Sequence, residues 1–240
     1  MTLVTRPRAP IDKVTVLSKH PMFSALPLSV LERLCSHATT RTVQEGSVLF
    51  AKGDPGSSLF AVLSGTLKIS VMSADGREAI FNLVHAGEIF GEIALLDGRP
   101  RTADAVAMSD CQLMEIDRRY FIPIIEQPGV ALKLIDVLCA RLRWGSEHIE
   151  ELMFLDLQGR LAKTLLRLTE NHDDAKGERT LNMTQSEVSH FVGMSREAVN
   201  KQLRDWEGRR WVRLKRNGIV VLDVKALSAL AAADFEPDLS

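Results

Sequence analysis

Between Thr42 and Ile116 the hydrophobic positions fall in short runs, Val48–Phe50, Leu59–Leu63, Leu67–Val71 and Ile80–Val84, punctuated by glycines at 46, 53, 65, 76 and 87. Runs of this length bounded by turn residues predict antiparallel strands. Asp75-Gly76 between two of them is a two-residue hairpin signal, and the regular spacing predicts a roll or barrel. Upstream, Val30, Leu31 and Leu34 behind Pro27 predict a small helix over Ser29–His37, while Met1–Asp12, with Pro7, Pro10 and few apolar residues, reads as a loose arm.

After Pro128-Gly129 the period becomes helical and stays so to about Asp156, with Gly145 inside it. Ala131, Ile135, Leu138, Leu142, Gly145, Ile149 and Leu152 step by four and three alternately, as the seam of a parallel coiled coil does. A dimerisation helix is the first expectation, and a helix packed on its own domain is the second.

The C-terminal part carries a helix-turn-helix pattern. Thr184-Gln185-Ser186-Glu187 has the form of a capping box opening a helix to about Val192, Gly193 permits a tight turn, and Ser195 is placed to cap a second helix. Val199, Leu203 and Trp206 give that helix an inward face, leaving Arg196, Glu197, Asn200, Lys201 and Arg204 outward. Such a face suits base edges in a major groove, with Gln185 and Ser195 beside it. Trp211–Leu214 and Ile219–Asp223 flank Asn217-Gly218 and predict a hairpin wing. Its cations Arg213, Lys215 and Arg216 suit phosphate contact or solubility equally.

Charge sharpens this picture. The whole chain of 240 residues is nearly neutral at -1. From Gln158 to Gly218, however, 13 basic residues face 8 acidic ones, a local +5 against -6 for the remainder. No apolar stretch is long enough for a membrane span and the first residues carry no signal-peptide core, so a cytoplasmic protein without membrane contact is expected. Cys35, Cys111 and Cys139 stand apart in sequence and are expected to be reduced core thiols, with no metal or iron-sulfur site. No P-loop, nucleophile elbow or HExxH appears, so no enzyme is expected.

The densest chemistry lies in Phe90-Gly91-Glu92-Ile93-Ala94-Leu95-Leu96-Asp97-Gly98-Arg99-Pro100-Arg101-Thr102-Ala103. A bare backbone at Gly91, amides at a helix start, an arginine for a phosphate and a glutamate for a sugar hydroxyl suit one ligand class. On these residues alone, a charged loop closed by an Arg–Glu pair competes with that reading. Arg101 is expected to be exposed and dispensable to the fold.

This segment resembles the phosphate-binding cassette of cyclic-nucleotide-binding domains. From about residue 20 to 225 the chain resembles the CRP-like branch of the catabolite activator/fumarate-nitrate reduction regulator (CRP/FNR) superfamily. The likeness rests on the β-roll glycines, the cassette, the dimer helix, the Phe154-Leu155-Asp156 hinge and Ser195-Arg196-Glu197. It implies an α+β protein: an arm over 1–20, a cyclic-nucleotide-binding β-roll over 21–128, a dimerisation helix and hinge over 129–157, and a winged helix-turn-helix over 158–240.

The resemblance further implies a ligand-responsive homodimer on a palindromic double-stranded DNA site, with RNA polymerase as downstream partner and the loop Asn171–Arg179 as a contact candidate. By position, Glu92 would bind the ribose 2'-hydroxyl, Arg101 and Thr102 the cyclic phosphate with Gly91, Ile93, Ala94 and Ala103 around it, and Ser146 would approach the purine. Thr102 admits cGMP beside cAMP. Gly145, preceded by Trp144, replaces a threonine of the family's cAMP-responsive activator and removes one adenine-specific hydrogen bond. Ala61, Val62 and Leu63 are candidate pocket walls or plain core.

Overall fold

The computed structural model describes residues 11–24, 26–127, 129–170 and 178–232. The arm before residue 11 and residues 171–177 of the candidate polymerase-contact loop lie outside them. By internal contacts the chain divides into two compact units, one comprising residues up to Val71 with Phe81–Ala140, the other Met72–Ile80 with the residues from Arg141 on.

The N-terminal part of the chain opens with α1 (Lys13–Lys19) and α2 (Leu28–His37), followed by β1 (Thr39–Val43), β2 (Val48–Phe50), β3 (Ser58–Ser64), β4 (Thr66–Met72), β5 (Glu78–His85) and β6 (Ile89–Phe90). Then come α3 (Glu92–Asp97), β7 (Asp104–Ala107), β8 (Cys111–Asp117) and α4 (Arg118–Ile125). The strands form two four-stranded sheets, ordered β1-β8-β3-β6 and β2-β7-β4-β5, with antiparallel registers. The unbroken apolar run of β3 has a direct cause. Leu59, Ala61 and Leu63 face one core, shared with α1, α2 and α4, whereas Phe60 and Val62 face a second core between the strands. Both sides of the strand are therefore buried, and period-two alternation of polarity disappears.

Helix α1 falls in the stretch read from sequence as an arm. Asp12 caps it by accepting from the Val14 amide at 3.0 Å, and Leu17 is buried in the core.

Helix α5 (Val130–Phe154) carries two apolar faces. Val130 and Leu134 are buried and Leu138 packs against the same core. A second face leaves Leu132, Ile135, Leu142, Ile149 and Met153 between 52% and 72% exposed, with Cys139 and Ser146 exposed among them. Read as 132, 135, 139, 142, 146, 149 and 153, this stripe keeps the three-four spacing of a coiled-coil seam. It is displaced by one residue at alternate positions from the seam expected from sequence, because Leu138 serves its own domain.

The second unit contains α6 (Leu157–Thr169), β9 (Arg179–Leu181), α7 (Gln185–Val192), α8 (Arg196–Gly208), β10 (Val212–Lys215), β11 (Gly218–Val221) and α9 (Val224–Ala231). At the hinge, Asp156 caps α6 by accepting from the Gly159 amide at 2.8 Å. Just before it, the Glu151 side chain, 4% exposed, lies 3.3 Å from Lys163 Nζ, 3.4 Å from Arg167 Nη1 and 3.4 Å from His148 Nδ1. Trp144 stacks on His148 with centroids 5.4 Å apart, and the Arg167 guanidinium lies 5.5 Å from the indole centroid. One carboxylate thus ties the end of α5 to α6. Burial acts to raise the pKa of Glu151, but the His148 hydrogen bond and the charges of Arg167 and Lys163 outweigh it and hold the carboxyl below its ordinary range.

The helix-turn-helix follows its local signals closely. Thr184 and Glu187 complete the capping box, Gly193 closes α7 at φ 70°, and Ser195 caps α8 by accepting from the Ala198 amide at 3.2 Å. Val188, Phe191 and Val192 of α7 are buried, as are Val199, Leu203 and Trp206 of α8. In the wing, β10 pairs with β11 and β11 with β9. The turn is one residue earlier than Asn217-Gly218 predicted, since Gly218 already pairs with Lys215. A Cβ on Gly218 would lie 2.9 Å from the Leu181 carbonyl oxygen, so this glycine admits β9 rather than making the turn.

Candidate functional site

Arg101 is the centre of the first site. Its guanidinium donates through Nη1 to the Gly91 carbonyl at 2.7 Å and through Nη2 to the Ser58 carbonyl at 2.8 Å. The cation lies 4.3 Å from the Phe50 ring centroid and 5.5 Å from that of Phe60. Its backbone is fixed as well: the Arg101 amide donates to the Asp54 carbonyl at 2.8 Å, and the Gly53 amide to the Arg101 carbonyl at 2.9 Å.

At 5% exposure this arginine is not the exposed loop residue expected from sequence. Burial pulls its pKa down, opposed by Glu115, Glu92 and Asp54, yet an arginine remains charged in a protein. Nε is buried with no hydrogen-bond partner, an unmet donor on a cation.

Gly91, at φ 83°, caps α3, and a Cβ there would meet Arg101 Nη1 at 2.7 Å. The glycine therefore serves both the left-handed turn and the closeness of the guanidinium. Glu92 and Ala94 in the first turn of α3 are buried, Ile93 is 44% exposed, Thr102 is exposed and Ala103 is buried. The amides that open a helix have no intrahelical acceptors, so the α3 turn presents donors beside the Arg101 cation.

Sequence reasoning missed three contributors to this site. Phe50 and Phe60 form the aromatic bed of Arg101, and Gly56 lets the preceding loop lie against it; a Cβ on Gly56 would fall 2.4 Å from Ala94 Cβ and 3.0 Å from Arg101 Nε. Their sequence signal is weak, because each acts through a partner 38 or more positions away. Ala61, Val62 and Leu63 are core residues, 6% exposed or less. Ser146 lies on α5 in the other unit, exposed, its hydroxyl donating to the Leu142 carbonyl at 3.1 Å.

The second candidate surface is on α8. Arg196, Glu197, Lys201 and Arg204 are exposed. Asn200 departs from the expected outward face: it is half-buried, and its Oδ1 is buried without a hydrogen-bond partner. Thr184, Gln185 and Ser186 at the start of α7, with Arg196, Lys215 and Arg216, line an open groove of about 380 Å³. Arg213, expected with these wing cations, instead donates to Glu178 at 2.6 Å.

Of the cysteines, Cys111 is buried, Cys35 half-buried and Cys139 exposed, so the expectation of three core thiols fails at Cys139. Among the described residues, no three His, Cys, Asp or Glu side chains are grouped to hold a metal, and no helix is long and apolar enough to cross a membrane.

Comparison with known proteins decides the family. Residues 40–128 match the cyclic nucleotide-binding domain and residues 159–230 the Crp-like helix-turn-helix domain. A CRP-like cAMP-activated global transcriptional regulator of Mycobacterium tuberculosis is 31% identical over 220 residues, covering 90% of this chain and 98% of the relative. The chain belongs to the CRP/FNR family of transcription regulators.

A second relative of this CRP/FNR protein, the cAMP-activated global transcriptional regulator CRP of Salmonella typhimurium, is 29% identical over 195 residues, covering 80% of this chain and 93% of the relative. Among solved structures, a CRP/FNR-family regulator from Thermus thermophilus has a TM-score of 0.70 at 28% identity, covering 82% of this chain and all of that one. The c-di-GMP responsive regulator CLP of Xanthomonas campestris, at 23% identity and TM-score 0.72 over 81% of this chain and 99% of its own, shares the fold. The protein is accordingly a DNA-binding regulator with a cyclic-nucleotide-binding domain, and not an enzyme.

Proposed function

We propose that this CRP/FNR regulator binds a cyclic purine mononucleotide, cAMP or cGMP, in its N-terminal domain, and as a homodimer uses that binding to control its grip on a palindromic DNA site in the cytoplasm. The observation that carries the reading is the buried Arg101 cation with its unsatisfied Nε beside the opening turn of α3. A singly charged cyclic phosphate is the acceptor this donor set fits, and such a group supplies the negative charge that offsets the buried guanidinium.

Arg101 and Thr102 would hold that phosphate, with the backbone of Gly91, Ile93 and Ala94 and the small Ala103 allowing its approach. Glu92 would accept from the ribose 2'-hydroxyl, and Ser146 of the dimer helix would contact the purine. The Mycobacterium and Salmonella relatives are both named cAMP-activated, which favours cAMP. Thr102, exposed beside the cassette, and Gly145, lacking a hydroxyl, keep cGMP in the test.

The exposed stripe on α5 supports the dimer: five large apolar side chains on one helical face at coiled-coil spacing would be covered by the same face of a second copy. On α8, Arg196, Glu197, Lys201 and Arg204 would read base edges, with Asn200 and Ser195 at the helix start. Gln185, Lys215 and Arg216 in the neighbouring groove would hold the backbone phosphates. RNA polymerase is the downstream partner in this reading.

Titration calorimetry with cAMP and cGMP, together with light scattering, tests it. Heat from at least one nucleotide is expected, along with a dimer mass and a rise in melting temperature; at about 100 times Kd, binding adds about 2.7 kcal/mol. No heat from either nucleotide removes the pocket.

Two substitutions probe the parts. In Gly56→Ala, the new methyl collides with Ala94 and crowds Arg101, and about a tenfold weaker nucleotide affinity is expected, the cost of modest overpacking. Unchanged affinity would show that the loop can yield. Arg196→Ala is expected to cost about 1–3 kcal/mol at a selected site and to relax preference at one base pair. Equal loss on random DNA would make Arg196 a phosphate contact.

A further inference from the structure

A chain of hydrogen bonds and ion pairs runs behind the cassette. The Ser58 hydroxyl donates to Glu115 Oε1 at 2.9 Å, and the other oxygen of that carboxylate receives Arg41 Nε at 2.7 Å. Ser58 also faces forward: its carbonyl accepts from Arg101 Nη2, and its Oγ lies 3.5 Å from the same nitrogen. Ser58 itself is 8% exposed, and the Glu115 side chain 21%.

The chain Arg41–Glu115–Ser58–Arg101 crosses β1, β8 and β3, three neighbouring strands of one sheet, with Glu115 opposite Thr39 on one side and Phe60 on the other. We propose that Ser58 and Glu115 are positioning residues for the phosphate-binding guanidinium, fixing the plane in which Arg101 offers its remaining donors. This inference rests on the nucleotide-binding role proposed for Arg101.

The physical argument has two steps. Two carbonyls, those of Gly91 and Ser58, hold the Arg101 fork at two points, and rotation of the Ser58 segment would swing one of them. Because the Ser58 proton is committed to Glu115, its oxygen lone pairs are left to face Arg101, and Arg41 prevents the carboxylate from turning away. Electrostatics agree with the geometry. Glu115 is the foremost of the acidic groups that offset the desolvation of Arg101, so the relay also places a counter-charge behind the cation, whose Nε is buried without a hydrogen-bond partner.

A competing role for these residues is sheet stability alone, through the cross-strand Arg41–Glu115 pair. The two roles separate experimentally. Calorimetric Kd values for cAMP and cGMP, with melting temperatures, would be measured for Ser58→Ala, Glu115→Ala, their double variant and Glu115→Gln in the full chain.

A relay predicts about 5-fold weaker binding in each alanine variant, the scale of one hydrogen bond, and a double variant no weaker than the weaker single. Glu115→Gln keeps one acceptor oxygen for Ser58 but loses the charge and the second oxygen that meets Arg41, so it is expected between the natural protein and Glu115→Ala. Lower melting temperatures with unchanged Kd, losses that multiply in the double variant, or a Glu115→Gln as weak as Glu115→Ala would each overturn the relay. Should Glu115→Ala not fold, Ser58→Ala combined with Glu115→Gln carries the same comparison. A natural protein that takes up neither nucleotide sinks the functional reading itself, and the relay with it; intact uptake with insensitive variants sinks the relay alone.

Discussion

Arg101→Ala is expected to weaken cyclic-nucleotide binding by more than 100-fold and at the same time to lower the melting temperature by several degrees. The first effect follows from removing a buried side-chain cation bonded to the cassette backbone at the Gly91 carbonyl. Charge-assisted hydrogen bonds contribute about 1.5–3 kcal/mol each, and two to a phosphate reach the hundredfold scale. The second effect is set by burial. The carbonyls of Gly91 and Ser58 lose their guanidinium donors, and a gap opens against the Phe50 and Phe60 rings. A stability cost of about 1–2 kcal/mol is the scale for such stranded acceptors, reduced because a buried charge disappears as well. Calorimetry and thermal melting report the two effects separately. Nucleotide affinity equal to the natural protein would remove Arg101 from the site, and an unchanged melting temperature would mean that its contacts are structurally idle.

Glu151→Ala is the substitution with the largest expected effect on stability, about 2 kcal/mol. Breaking a buried ion pair from one side costs about 3–5 kcal/mol when the stranded charge stays buried. Lys163 is 44% and Arg167 25% exposed, so water partly rescues them and the lower figure applies. The same cluster gives a pH signature. Since the folded-state pKa of Glu151 lies below its ordinary value of 4.5, its contribution is fully present above that value and fades as pH falls through the depressed one. Natural protein and variant should therefore differ in melting temperature at neutral pH and converge under acid conditions. A constant difference down to the acid range would contradict the assignment. The cluster joins α5 to α6, so the variant is also expected to loosen the hinge. Trp144, stacked on His148 there, offers a fluorescence readout.

Where signals were local, the sequence was legible to the residue. The capping box at Thr184 and Glu187, the cap at Ser195 and the inward Val199, Leu203 and Trp206 depend only on spacing within one helix, and all appear in the structure as read. Long-range partnerships were not legible. Nothing near Arg101 in sequence announces that Phe50 and Ser58 enclose it, and the residue looked like part of a polar loop. Helix α5 was ambiguous for a different reason. With apolar residues on two faces, both Leu138 and Cys139 continue a three-four pattern, and only the neighbouring core shows that Leu138 belongs to its own domain. Gly218 looked like a turn residue, and its purpose became clear only with β9 beside it.

These features place demands on one another. A buried cation needs a fixed orientation to be useful, which the sheet supplies from behind and the cassette from in front. In the proposed reading α5 would carry the nucleotide signal, and its C-terminal end is tied to α6 through Glu151.

The most direct measurement is the affinity of the purified protein for a DNA fragment selected from random sequence, titrated without nucleotide and with saturating cAMP or cGMP. The account predicts at least a tenfold change in Kd with one of the two, about 1.4 kcal/mol of coupling, and no change in Arg101→Ala. An affinity identical in all three conditions for the natural protein would contradict it.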